Sequence, residues 1–225
     1  MKLAVLFSGG KDSCYALMKA REKNEVVCLI TIVSKNEESY MFHTPNIKIA
    51  DLQAEAIGLP LIKKYTDGKK EEELKELKEA LQEAKDNFHI DGVVTGALES
   101  VYQSTRIQRI CKQLDLWCFN PLWKKDQAQL LREVLANHFK IIISGVFAYP
   151  LGMDWLGKEV DQEMVNKLLE LQQGKYKISP SGEGGEFETT VLSAPFFHKD
   201  VGILEFEIVD KVNSGVYNIL RADLK

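Results

Sequence analysis

Val26–Val33 reads VVCLITIV, eight residues with no charge and with β-branched side chains on both faces of any strand they form. Such a run has no solvated face. It needs cover above and below, as at the centre of a parallel sheet flanked by helices. Lys2–Phe7, Pro60–Tyr65, Asp91–Thr95 (DGVVT), Trp117–Phe119 and Lys140–Val146 (KIIISGV) read as further short strands. Between them lie segments with helical spacing: Ser13–Lys23, Ile47–Leu59 (stopped by Gly58), Lys69–Phe88, Ser100–Leu114 and Asp126–His138. In Lys69–Phe88 the stripe Leu74, Leu77, Leu81, Ala84 and Phe88 recurs at three and four residues, with Lys and Glu opposite. Strand alternates with helix through residue 146, which predicts an α/β fold, a doubly wound and mainly parallel sheet with right-handed crossovers.

The pattern changes beyond that point. Residues 147–225 read as a small α+β unit: a helix over Asp161–Leu171, the loop YKISPSGEGGEFETTV, and two alternating segments, Ile203–Val209 and Gly215–Ala222, joined at Asn213-Ser214-Gly215. The composition, 45% hydrophobic and 28% charged, is that of an ordinary globular protein. A net charge of −4 argues against a broad nucleic-acid surface and a stable nucleic-acid partner. No apolar run approaches the length of a membrane span. The first strand begins so early that it leaves no room for a signal peptide, and Cys14, Cys28, Cys111 and Cys118 form no CxxC pair. A cytoplasmic location is expected.

The turn Ser8–Ser13, SGGKDS, links the first strand to the first helix, where a doubly wound sheet binds its ligands. Gly9 and Gly10 let backbone N–H groups approach an anion. The helix aims its positive end at the same point, and Lys11 with the Ser8 and Ser13 hydroxyls adds donors. The spacing is neither a Walker loop nor a dinucleotide fingerprint. On the helix from Ser100, the polar Ser100 and Gln103 lie on the buried side in the first turn and point toward the sheet's carboxyl edge, with Arg106 one turn on. In GEGGEFET, Glu183, Glu186 and Glu188 crowd a glycine-rich segment, with Tyr149, Trp155 and Tyr176 available nearby. That composition suits a metal or an organic cation, and equally a solvated surface loop.

SGGKDS resembles the SGGxDS signature of the ATP-pyrophosphatase, or PP-loop, superfamily. The stretches GALESVYQSTRIQ, PLW, Leu156-Gly157, GEGGEFET and Ala194–Phe197 narrow the resemblance to its diphthine–ammonia ligases. Gln108 departs from the acidic residue found at that place in many relatives. The resemblance implies an ATP-binding unit over residues 1–146 and a substrate-binding unit over 147–225. It implies ATP held by Ser8, Gly9, Gly10, Lys11, Asp12 and Ser13 and cleaved between its α and β phosphates, with Mg²⁺ at Asp12. Backbone near Val33, Ser34 and Gly96 is the expected adenine reader. The implied substrate is diphthine on elongation factor 2, whose carboxylate would be adenylated and then attacked by ammonia, free or from a separate glutaminase. Lys11, Asp12, Glu183, Glu186 and Glu188 are the implied catalytic residues. Ser100, Tyr102, Gln103, Arg106, Trp123 and Trp155 are the implied substrate contacts, and one of the glutamates with aromatics would meet the trimethylammonium of diphthine. The competing reading is a PP-loop tRNA-modifying enzyme, a thiolase or lysidine-type ligase. A homodimer is left open.

Overall fold

The computed structural model describes residues 1–36, 45–69, 71 and 73–225. Five strands pair in parallel: β1 (Lys2–Leu6), β2 (Glu25–Ser34), β3 (Leu61–Thr66), β4 (Gly92–Val94) and β5 (Trp117–Phe119). Their order is β3-β2-β1-β4-β5, and they are connected by α1 (Lys11–Arg21), α2 (Ala50–Ile57), α3 (Glu73–Phe88) and α4 (Val101–Gln113). The chain steps outward from β1 to β3, then returns to β4 on the other side of β1. That reversal opens a crevice between the carboxyl ends of β1 and β4.

The residues of β2 show why the sheet is doubly covered. Val26 and Leu29 join a cluster with α1 and α2, whereas Cys28, Ile30 and Ile32 join one with α3 and α4. On α3 the stripe Leu74, Leu77, Leu81 and Ala84 is buried. Leu77 and Leu81 are fully enclosed, and each contributes roughly 1.5–3 kcal/mol. At the end of α2, Gly58 adopts φ 74°, a left-handed cap that stops the helix.

A second sheet has the order β7-β6-β9-β8, built from β6 (Lys140–Val146), β7 (Phe187–Ser193), β8 (Val201–Lys211) and β9 (Ser214–Leu224). Every pairing in it is antiparallel. The strand-and-helix rhythm read through residue 146 therefore runs one strand too far: Lys140–Val146 belongs to this sheet. The reason is physical. Ile141–Val146 are all buried, so the composition of β6 matches that of a central parallel strand, and only its partners set its direction. The stretch read as a loop up to Val191 also differs, since β7 begins at Phe187.

Helices α5 (Gln127–Ala136) and α6 (Gln162–Gln173) pack against each other beside the second sheet. One apolar cluster joins the two sheets. It runs from Leu3, Val5 and Leu17 through Ile57 to Ile141, Val165, Val191 and Ile219. Strand β7 also reaches the turn after β1: the Val191 N–H donates to the Gly9 carbonyl at 3.0 Å. From α2, the buried Gln53 amide donates to the carbonyls of Gly9 (2.9 Å) and Val191 (2.7 Å), bracing turn and strand together.

Candidate active site

The crevice between β1 and β4 widens into a cavity of about 430 Å³. From the turn Ser8–Ser13, Ser8, Lys11, Asp12 and Ser13 line it, while Gly9 and Gly10 lie behind them. There Gly9 takes φ 76°, and a Cβ would run into the Gln53 amide. The Ser8 and Ser13 hydroxyls lie 3.2 Å apart, and the Ser13 hydroxyl donates to the Gly10 carbonyl at 3.1 Å. Across the crevice, a Cβ on Gly96 would meet the Asp12 carbonyl carbon and the Ser13 nitrogen at 2.8 Å, so only glycine lets β4's loop lie against α1's first turn.

Lys11 is 3% exposed. A buried ammonium must be compensated. Its Nζ donates to Asp12 Oδ2 at 2.9 Å and to the Ser181 carbonyl, and it lies 5.7 Å from the centre of the Phe187 ring. Its backbone N–H donates to Thr189 Oγ1 at 3.2 Å. The other Asp12 oxygen, Oδ1, is buried without a hydrogen-bond partner. An orphaned carboxylate oxygen on a residue that lines the cavity fits a hard divalent cation. Among the described residues no group of three or more His, Cys, Asp or Glu is placed to hold a metal. A cation at Asp12 would therefore take its other ligands from phosphate oxygens and water.

Glu183 and Glu188 form the acidic wall opposite. Burial pushes the Glu183 carboxyl above its usual range, against the Glu99 N–H that donates to its Oε1 at 3.0 Å. Burial likewise raises Glu188 to about 7, with nearby Lys11 pulling down and Asp12 and Glu183 pushing further up. Glu186 is turned elsewhere. Its Oε1 accepts from the Ser179 N–H at 2.8 Å and its carbonyl from the Phe147 N–H at 2.8 Å, so it ties the loop to itself and to the end of β6. The apolar side of the cavity comprises Leu6, Phe7, Ile30, Ile32, Ile47 and Ile107.

Of the other residues singled out in the sequence, Ser100, Gln103 and Gly96 line the cavity. Ser100 also caps α4, accepting from the Gln103 N–H at 3.3 Å. Val33 and Ser34 do not line it; on β2, Ile30 and Ile32 do. Arg106 stacks 3.4 Å from the centre of the Tyr102 ring and donates through Nε to Glu71 at 2.7 Å, so both residues belong to a surface cluster rather than to the cavity wall. Trp123 borders a separate shallow hollow with Val101, Ser104 and Asn120. Trp155 packs on the apolar core. Sequence reasoning missed Gln53, Thr189, Ser181 and Gln127. A buried glutamine on the apolar face of α2 was the only visible signal among them.

Fold and site together define an α/β protein whose glycine turn, between a strand and a helix, shares a cavity with two carboxylates. The model of the diphthamide synthase N-terminal domain matches residues 1–117, and that of the diphthamide synthase C-terminal domain matches residues 126–224. The chain belongs to the diphthamide synthase family. Residues 118–125, from within β5 to just before α5, lie between the two matches. A diphthine–ammonia ligase of Mus musculus is 38% identical, over 93% of this chain and 85% of that one. The Homo sapiens diphthine–ammonia ligase is 35% identical over the same shares. That of Saccharomyces cerevisiae is 32% identical over the whole of this chain, which spans 37% of the yeast protein.

Proposed function

We propose that this chain is an ATP-dependent ligase that amidates diphthine on elongation factor 2 to give diphthamide, releasing AMP and pyrophosphate. The observation that carries the reading is that both family models match and that the SGGKDS turn, in the first matched range, and the GEGGEFET segment, in the second, contribute to one cavity. Amidation rather than tRNA modification follows from the family, whose curated relatives are named as diphthine–ammonia ligases.

The residues divide the work. Backbone N–H groups of the Ser8–Ser13 turn, the positive end of α1 and the Lys11 ammonium hold the β and γ phosphates. Asp12 would hold Mg²⁺, which neutralises charge on the departing pyrophosphate when bound. The carboxylate of diphthine takes the adenylyl group, and an ammonia nitrogen then displaces AMP. Ammonium must lose a proton before it can attack, and Glu188, poised near neutrality, accepts it. Glu183 supplies negative charge at the cavity mouth for the trimethylammonium. The apolar side at Ile30, Ile32 and Ile107 offers the adenine a flat, dry surface. We infer a cytoplasmic setting for this reaction as part of the same reading. Among the described residues no helix is long and apolar enough to cross a membrane.

The test is product analysis of ATP turnover with diphthine-bearing elongation factor 2 and ammonium, together and with each omitted. AMP and pyrophosphate should accumulate only when the factor is present, with a carboxylate-to-amide mass change on the factor. AMP formation that ignores the factor but responds to tRNA would move the protein to the competing branch.

A further inference from the structure

The segment carrying Glu183 has little secondary structure of its own between α6 and β7, yet its start is held at one atom. Gln127, in the first turn of α5, accepts at Oε1 from the Ser179 hydroxyl (2.7 Å), the Ser181 hydroxyl (2.8 Å) and the Ser181 N–H (3.2 Å). The hydroxyls would serve either end of a side-chain amide. The Ser181 N–H can only donate, and it selects the oxygen. Ser181 is buried, and its carbonyl accepts from Lys11 Nζ. Ser179 in turn donates its N–H to Glu186 and accepts from the Gly182 N–H at 2.9 Å. A single side chain on α5 thus connects to the phosphate-binding lysine on one side and to the fold of the acidic segment on the other.

We propose that Gln127 is a positioning residue for the ligase reaction: its Oε1 fixes the Ser179–Glu186 segment over the phosphate turn, setting both the Lys11 ammonium and the Glu183 carboxylate. The reaction-level part of this inference rests on the function proposed above; the structural part does not. Without the acceptor at 127, two hydroxyls and a buried N–H lose their partner, and the segment opens. A glutamate at 127 keeps an acceptor for all three donors.

The experiment compares Gln127→Leu and Gln127→Glu with the unaltered protein in three measurements. Backbone amide hydrogen exchange over residues 179–186 should rise about tenfold or more in Gln127→Leu, with residues 140–146 unchanged, and stay near the parent rate in Gln127→Glu. Binding of a non-hydrolysable ATP analogue, read by titration, should weaken several-fold in Gln127→Leu alone. Amide formation should fall at least tenfold in Gln127→Leu and return to within a few-fold in Gln127→Glu. Unchanged exchange over 179–186 in Gln127→Leu would overturn the proposal, as would a Gln127→Glu protein no better than Gln127→Leu. If exchange and analogue binding respond while no protein, parent included, amidates the factor, the functional reading fails and the anchor stands.

Discussion

Glu188 shares its cavity with Lys11, Asp12 and Glu183, and its environment works against its ionised form. A carboxyl raised from its ordinary range to about 7 favours the protonated state in the folded chain more than in the unfolded one. Its contribution to stability is complete below the usual carboxylate range and is lost as pH rises through about 7. Two opposite consequences follow for Glu188→Gln. Amide formation should fall about 10²- to 10⁴-fold, the usual worth of a general base, with adenylation retained and the rise of rate with pH near 7 abolished. The same variant should melt higher than the parent at pH 8 and no higher at pH 4, as read by calorimetry. A variant that keeps its rate and its pH dependence would remove Glu188 from the proton path. At this scale SGGKDS was legible as a glycine turn between the first strand and the first helix, because its residues are contiguous in the chain. Of Gln53, Thr189 and Gln127, only Gln53 left a sign, a polar residue among the apolar positions of α2; each acts on a partner far away in sequence, which no single residue records.

At the scale of elements, the helix starts were written in single residues. Ser100, Asp126 and Asp161 each accept from the backbone N–H three residues on, so the helices begin one residue later than those caps. Asp161 Oδ1 holds the Met164 N–H at 2.8 Å, away from the cavity. Asp161→Ala should therefore cost about 1 kcal/mol in urea unfolding while leaving ATP-analogue binding unchanged. A loss of binding would mean that α6 bears on the site in a way its placement does not imply. Helices and parallel strands were readable because period and burial agree along each of them. What could not be read was direction: β6 is buried on both faces in either kind of sheet, and β7 is announced only by Phe187–Leu192 after a glycine-rich stretch that resembles a loop. With these two strands unplaced, the sequence joined the acidic segment to the glycine turn only through the family resemblance, whereas the fold joins them through β7.

For the whole molecule, the decisive fact is that one apolar cluster crosses from the parallel sheet to the antiparallel one. Two family models divide the chain, but the core does not. Unfolding should be a single cooperative transition, with tryptophan fluorescence and far-UV circular dichroism giving coincident urea curves. Residues 1–125 expressed alone should fail to give a native-like dispersed NMR spectrum, because the face made by Leu3, Val5, Leu17 and Ile57 loses its cover. A well-folded fragment, or two separated transitions, would show that the halves are independent.

The hydrogen bond from Val191 to Gly9, doubled by the Gln53 amide, has a consequence for how the protein is made. Synthesis proceeds from the amino end, so the glycine turn leaves the ribosome long before the strand that closes over it. Strand β6 pairs with β9 near the end of the chain as well as with β7, so the closing sheet is assembled last. A nascent chain released early holds half of a phosphate grip and none of its acidic wall. On the proposed function, competence to bind nucleotide would be acquired only once β7 has been made.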